Sequence, residues 1–257
     1  MGVQLDQVRQ VVTPEEWTAR VELAACYRLL DHYGMTDMIY NHISARIPGT
    51  EHLLINAYGY LYNEVTASNL VTIDLHGGVV LEPQSPQGYG VNQAGALIHT
   101  AVHQVRHDAG CVIHTHTRAG MAVSALEEGL LPLTQTAMRF YNSVAYHDYE
   151  GPALNPEEKA RLQQDLGEYG VMILRNHGLL AVGPSVAEAF SRIYWLEMAC
   201  KAQVDALAMG RSLHMPTQQS RDVTADVLHP KNRGLLGARA WPALLRMLDT
   251  KDPSYAS

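Results

Sequence analysis

The sequence predicts an α/β fold in which helices pack on a central, largely antiparallel sheet. Three features carry that prediction: capped amphipathic segments, short β-branched runs of strand length, and consecutive runs joined by a Gly-bearing turn. Thr13-Pro14-Glu15-Glu16 combines an N-cap Thr, a Pro at the first helical position and a Glu that closes a capping box. The helix it opens carries Trp17, Val21, Ala24, Ala25 and Leu29 on one face and stops near Gly34. Met38 to Arg46 and His52 to Asn56 are strand-like. Leu70 to Leu75 and Val79 to Glu82 flank His76-Gly77-Gly78 and form a hairpin.

Glu82 to Gly90 is a Pro- and Gly-rich loop. A helix follows from about Asn92 to His107, with His99, His103 and His107 four residues apart. Such a row on a mixed face most often covers a helix surface or bonds a carbonyl, so it is kept out of any metal site. Arg118 to Gly129 is helical in pattern, and Leu130 to Leu133 and Ser143 to His147 are short strands. Asn155-Pro156-Glu157-Glu158 and Ser185-Val186-Ala187-Glu188 are two further helix starts, the second opening a long helix that ends at Gly210. From Arg211 to Lys231 periodicity is lost, which predicts a surface excursion before a short terminal helix at Ala240 to Leu248. The expected division is a domain over residues 1–210 and a C-terminal extension over 211–257. The extension would lie on the body or on a neighbouring subunit, anchored by Trp241, Leu244 and Leu245.

A hydrophobic share of 47% in 257 residues is ample for a large core. A formal charge of −7 without a long basic run argues against nucleic acid and anionic membranes as partners. Three scattered cysteines (Cys26, Cys111, Cys200) argue for a reducing compartment and against a disulfide framework. With no signal-like N-terminus and no long apolar run, the expected location is the cytoplasm.

The run Cys111-Val112-Ile113-His114-Thr115-His116-Thr117 carries the chemistry. In a strand, residues two apart share a face, so His114 and His116 point the same way. Two ligands do not hold a metal. A third candidate lies in Asn176-His177-Gly178, a turn between the apolar runs Val171–Leu174 and Leu179–Val182, with Gly178 expected to supply a positive φ. Three histidines with an open position form the catalytic rather than the structural pattern of a divalent metal site, of which zinc is the expected occupant.

These motifs resemble the class II aldolase/adducin family over roughly Trp17 to Met209. Leu61 to Ala67, Ala119 to Ala125 and Val144 to Tyr149 resemble the adducin head domain more than the sugar-phosphate aldolases. The resemblance implies a three-layer α/β/α domain, a homo-tetramer, and a metal held by His114, His116 and His177. In the aldolases that metal stabilises an enediolate while a nearby glutamate moves the proton. Here the aldolase glutamate falls on Gly95. The phosphate-binding stretches read Asn41-His42-Ile43-Ser44-Ala45-Arg46 and Ala57-Tyr58-Gly59. The resemblance therefore puts Asn41, His42, Gly59 and Asn92 on the substrate side of the site. Arg118 offers a guanidinium to a substrate carboxylate, or else pairs at the surface.

Two functions compete. One is a metal-dependent lyase, cleaving a carbon–carbon bond or decarboxylating a small non-phosphorylated carbonyl or hydroxy-acid substrate. The other is a non-catalytic oligomerisation or binding module of the adducin-head kind. Actin binding is not expected, because in adducin it depends on neck and tail segments and this sequence has no Lys-rich tail.

Overall fold

The computed structural model describes residues 3–84, 88–151, 157–229 and 237–257. A short helix α1 (Val8–Val11) precedes α2 (Pro14–His32), whose Thr13 hydroxyl accepts from the Glu16 N–H at 3.1 Å, as the capping box requires. Eight strands follow: β1 (His42–Arg46), β2 (His52–Asn56), β3 (Leu70–Asp74), β4 (Val79–Leu81), β5 (Cys111–Thr115), β6 (Ala145–His147), β7 (Val171–Leu174) and β8 (Gly178–Gly183). Between and after them lie α3 (Gln93–Val105), α4 (Arg118–Ser124), α5 (Gln135–Met138), α6 (Glu158–Leu166), α7 (Val186–Ala208), α8 (Gln218–Leu228) and α9 (Ala240–Lys251).

The strands form one sheet in the order β4-β3-β2-β1-β5-β8-β7-β6. All neighbours are antiparallel except β6 and β7. The period of two sorts side chains cleanly between its faces. Cys111, Ile113, Ile173, Leu179 and Ala181 turn toward α2, α7 and α9 in one apolar cluster. Val112, Met172, Leu174, Leu180 and Val182 turn toward α3 and α6 in another. Helices on both faces give the three layers expected.

Arg20 fastens α2 to the sheet from within the core. Its side chain is fully buried beside Glu16 and donates to the Leu70 carbonyl at 2.8 Å and the Thr72 hydroxyl at 2.7 Å. A buried guanidinium without such acceptors would cost several kcal/mol. At the other end of the chain Trp241 and Leu248 join the main cluster, with Leu244 and Leu245 packed against it. Among the described residues no helix is long and apolar enough to cross a membrane.

Four local expectations are corrected. The first strand begins at His42 and not at Met38, because Met38 takes φ 44° and turns the chain. Leu130 to Leu133 form no strand: the Gln203 amide on α7 accepts from the Leu131 N–H at 2.7 Å and donates to the Gly129 carbonyl at 2.8 Å, so this backbone is satisfied without a ladder. Helix α4 stops at Ser124 rather than Gly129, since Arg175 takes the Leu126 carbonyl at 2.5 Å. The stretch after Arg211 holds helix α8, capped by Thr217, whose hydroxyl accepts from the Ser220 N–H at 3.2 Å. The predicted start at Asn155-Pro156, part of the Glu82–Gly90 loop and the end of the Arg211–Lys231 stretch lie outside the described residues.

Candidate metal centre

Two neighbouring strands bring the three histidines together. His114 is the penultimate residue of β5, His116 follows its end, and His177 sits in the turn between β7 and β8. The pairing of Thr115 with Leu179 holds those segments side by side. The turn works differently from the sequence expectation. The positive φ falls on Asn176, at 55°, a conformation that Asn tolerates. Gly178 is needed for another reason: a Cβ there would penetrate the Thr115 carbonyl oxygen and come within 3.3 Å of the His116 ring.

The three Nε2 atoms converge. They stand 2.8 Å apart between His114 and His116, 2.9 Å between His116 and His177, and 3.3 Å between His114 and His177. The opposite nitrogens are engaged. His114 Nδ1 donates to the Leu179 carbonyl at 2.9 Å, and His116 Nδ1 donates to the Asp37 carboxylate at 3.2 Å. With their protons on Nδ1, both rings present bare lone pairs to each other across 2.8 Å. That contact is repulsive unless a cation or a shared proton lies between them.

This donor set fits a transition metal. Four ligands at bonds of ~2.0–2.1 Å in a tetrahedron stand roughly 3.3–3.4 Å apart, matching the His114–His177 separation and a few tenths of an ångström wider than the other two. Three imidazoles suit zinc and its first-row neighbours, and the Asp37–His116 pair is the carboxylate support that metal-binding histidines ordinarily have. Among the described residues no other cluster of three His, Cys, Asp or Glu groups converges in this way. Burial, followed by the neighbouring histidines, holds His114 well below the ordinary imidazole pKa. His177 is pushed down to about 4, first by burial and then by His116 and His147. Both rings are therefore neutral and ligand-ready across the physiological range.

The model of the Class II Aldolase and Adducin N-terminal domain matches residues 21–204, a span that contains the whole trio. The chain belongs to the class II aldolase and adducin family. A crystal structure of an aldolase II superfamily protein from Pseudomonas syringae superposes with a TM-score of 0.93 at 47% identity, covering 98% of this chain and all of that one. Alpha-adducin of Mus musculus is 50% identical over 191 residues, which make up 74% of this chain but 26% of that protein. The L-fuculose 1-phosphate aldolase of Glaciozyma antarctica superposes with a TM-score of 0.82 at 25% identity, over 94% and 92% of the two chains.

Within this class II aldolase/adducin domain, the remaining candidates differ in what their surroundings allow. His42, the cross-strand partner of His114, stacks on it with ring centroids 5.0 Å apart and bonds His99 through Nδ1 at 2.8 Å. Asn41 is buried, and neither side-chain amide atom has a hydrogen-bond partner. Asn92 caps α3, its oxygen accepting from the N–H groups of Ala94 and Gly95 at 3.1 and 3.3 Å. Gly59 takes φ 124° beneath the ring of Tyr89, which an added Cβ would meet at 2.7 Å. Arg118 is the exposed first residue of α4. A Cβ on Gly95 would lie 2.8 Å from His42 Nε2, so the His42 ring already fills the space a longer side chain would need.

His99 and His103 are fully buried, contrary to the surface role expected of them, whereas His107 lies beyond the helix and is exposed. Ser44 on β1 explains their burial, its Oγ reaching His99 Nδ1 at 2.6 Å and His103 Nε2 at 2.8 Å. Asp37, which holds His116, is a candidate that the sequence does not mark. It stands 79 positions before His116 in an irregular loop, and no local pattern marks it.

Proposed function

We propose that the protein is a metal-dependent lyase. It would make or break a carbon–carbon bond, or remove a carboxylate, on a small non-phosphorylated carbonyl or hydroxy-acid substrate. The observation that supports this most directly is the convergence of the three Nε2 atoms within 2.8–3.3 Å, with the His114 and His116 tautomers set by Leu179 and Asp37. A divalent metal held there, zinc in the first instance, would act as the Lewis acid that steadies negative charge on a substrate oxygen. The chain's own residues do the rest. His114, His116 and His177 would hold the ion, Asp37 and the Leu179 carbonyl keep the rings oriented, and the Tyr89 ring packs over Gly59 at the turn where the resemblance places a phosphate. Assembly as a homo-tetramer belongs to the same reading and rests on the family resemblance; a cytoplasmic location is proposed from the three free cysteines.

The experiment is a metal analysis of protein purified without added metal, followed by an aldol-cleavage assay on phosphorylated and unphosphorylated substrates. About one zinc or neighbouring ion per chain is expected, with negligible cleavage of fuculose- or rhamnulose-type sugar phosphates. A protein that binds no divalent metal, or that turns over a sugar phosphate briskly, overturns the proposal. Gly95→Glu belongs in the same assay. Because His42 fills the space beside Gly95, any gained sugar-phosphate activity should be greater in the pair Gly95→Glu with His42→Ala.

The 50% identity to alpha-adducin over 191 residues favours a second reading, a non-catalytic oligomerisation module. Stoichiometric metal with no turnover of any carbonyl or hydroxy-acid substrate would favour it over the first.

A further inference from the structure

With glycine at position 95, a proton-transfer group for carbonyl chemistry has to come from elsewhere in the chain. A small, half-open cavity leads to His177. Its apolar wall is Ile98, Leu162 and Leu174, and its polar groups include His147 and Glu158. His147 ends β6, paired in register with Leu174 of β7, so it sits one strand over from the turn that carries His177. Arg175 also lines the cavity, but its guanidinium lies 4.3 Å from the Tyr146 ring centroid and donates to the Leu126 carbonyl at 2.5 Å, which makes it a brace.

His147 is built differently from an ordinary structural histidine. It is 4% exposed, and its Nδ1 donates to the Asp165 carboxylate at 2.7 Å. In the neutral ring that bond leaves the lone pair on Nε2, the arrangement by which a carboxylate orients a general base. Nε2 has no hydrogen-bond partner, and neither has Glu158 Oε2, although both atoms are buried. His147 Nε2 and Glu158 Oε1 stand 3.6 Å apart, too far to satisfy each other and close enough for the carboxylate to steady an imidazolium. Two unpartnered buried polar atoms, on residues that line a cavity shared with a candidate metal ligand, mark where a ligand's polar atoms belong.

We propose that His147, positioned by Asp165 and faced by Glu158, is the residue that moves the proton for a short hydroxy ketone bound between His177 and the cavity wall. The inference rests on the metal-dependent lyase reading. His147 Nε2 takes the proton from the carbon beside the carbonyl. The C–H electron pair becomes the carbon–carbon double bond, and the carbonyl π pair moves onto oxygen. The same imidazolium later returns a proton to that carbon, so no oxidant or reductant enters. Asp165 acts through His147 and is a positioning residue.

The probe is hydroxyacetone, with zinc-loaded protein in D2O and loss of its α-proton signal followed by proton NMR. Wild type should exchange the proton. His147→Gln and His147→Ala should be slower by roughly 10²–10⁴-fold, and added imidazole should partly restore His147→Ala. Cobalt-substituted wild type and His147→Gln should respond alike in visible absorption when hydroxyacetone is added, since the metal ligands are untouched. Exchange that is unchanged in the His147 variants overturns the proposal and leaves the metal reading standing. A wild type with neither exchange nor a spectral response overturns both. Nitrogen-15 NMR of the metal-free protein, followed at a pH where the ring is neutral, adds a readout independent of activity: the tautomer with its proton on Nδ1 is expected, and the Nε2–H tautomer overturns the proposal.

Discussion

Two groups of histidines lie on the same face of this sheet, one strand apart, and their nitrogens are arranged in opposite ways. In the row His42–His99–Ser44–His103, one direction of donation satisfies every contact: His42 Nδ1 gives to His99 Nε2, His99 Nδ1 to Ser44, and the Ser44 hydroxyl to His103 Nε2. Each of those contacts pairs a donor with an acceptor without an ion, although the proton this leaves on His103 Nδ1 has no hydrogen-bond partner. In the trio His114, His116 and His177, Nε2 meets Nε2 at each contact, while the Nδ1 protons of His114 and His116 are spent elsewhere. No assignment of protons satisfies that geometry in neutral rings. Counting histidines does not separate a structural network from a candidate ligand set; matching donors to acceptors does.

The contrast breaks most visibly with ligand removal. His177→Ala should abolish stoichiometric metal binding, a loss that elemental analysis and isothermal titration would read directly. His99→Leu should leave the metal content near that of wild type, while urea melts report destabilisation of about 1–3 kcal/mol from the buried Ser44 and His42 groups left unpaired. A His99→Leu protein that keeps its fold and loses its metal would make the two groups one system.

Acid separates them next. Burial pushes His99 and His103 down to about 3, whereas an unfolded histidine titrates near 6.5. Between those values the unfolded chain binds more protons than the folded one, so stability rises with pH. Read downward, stability is full above about 6.5 and is lost progressively toward about 3, by ~1.4 kcal/mol per pH unit for each buried histidine. Urea melts of metal-free wild type and Ser44→Ala across pH 4–7 should share that slope, because Ser44 carries no charge. A flat stability over this window would mean that the row is hydrated and titrates freely.

The smallest effect concerns Asp37. Asp37→Asn keeps the shape and removes the carboxylate that orients His116, so metal affinity should fall by about 10–100-fold with stability unchanged within about 1 kcal/mol. Unchanged affinity would show that the half-exposed pair at 3.2 Å does nothing for the ligand.

Much of this was legible before any coordinates. Caps at Thr13 and Ser185 located helices because a side-chain oxygen beside free N–H groups is a local signal. His114 and His116 were readable as a same-face pair because strand alternation is also local. What stayed hidden was non-local. Position 130–133 has strand composition, but the amide that satisfies its backbone comes from Gln203, 72 positions downstream of Leu131. His99 and His103 look like surface residues until Ser44 is placed beneath them, 55 and 59 positions away. Helix α8 was missed because Leu228 alone of its residues is buried, leaving no apolar stripe to detect.

The close approach of Gly178 to Thr115 also bears on the order in which the molecule assembles. His114 and His177 are 63 positions apart, and they meet only once β5 and β8 have paired in the middle of the sheet. Closing that long connection is an entropic cost that the β-ladder and the helices around it must meet before an ion finds three ligands. A metal at this centre would arrive late, as a clasp on a finished sheet and not as a seed for it. Chelation should therefore speed unfolding far more than it slows refolding.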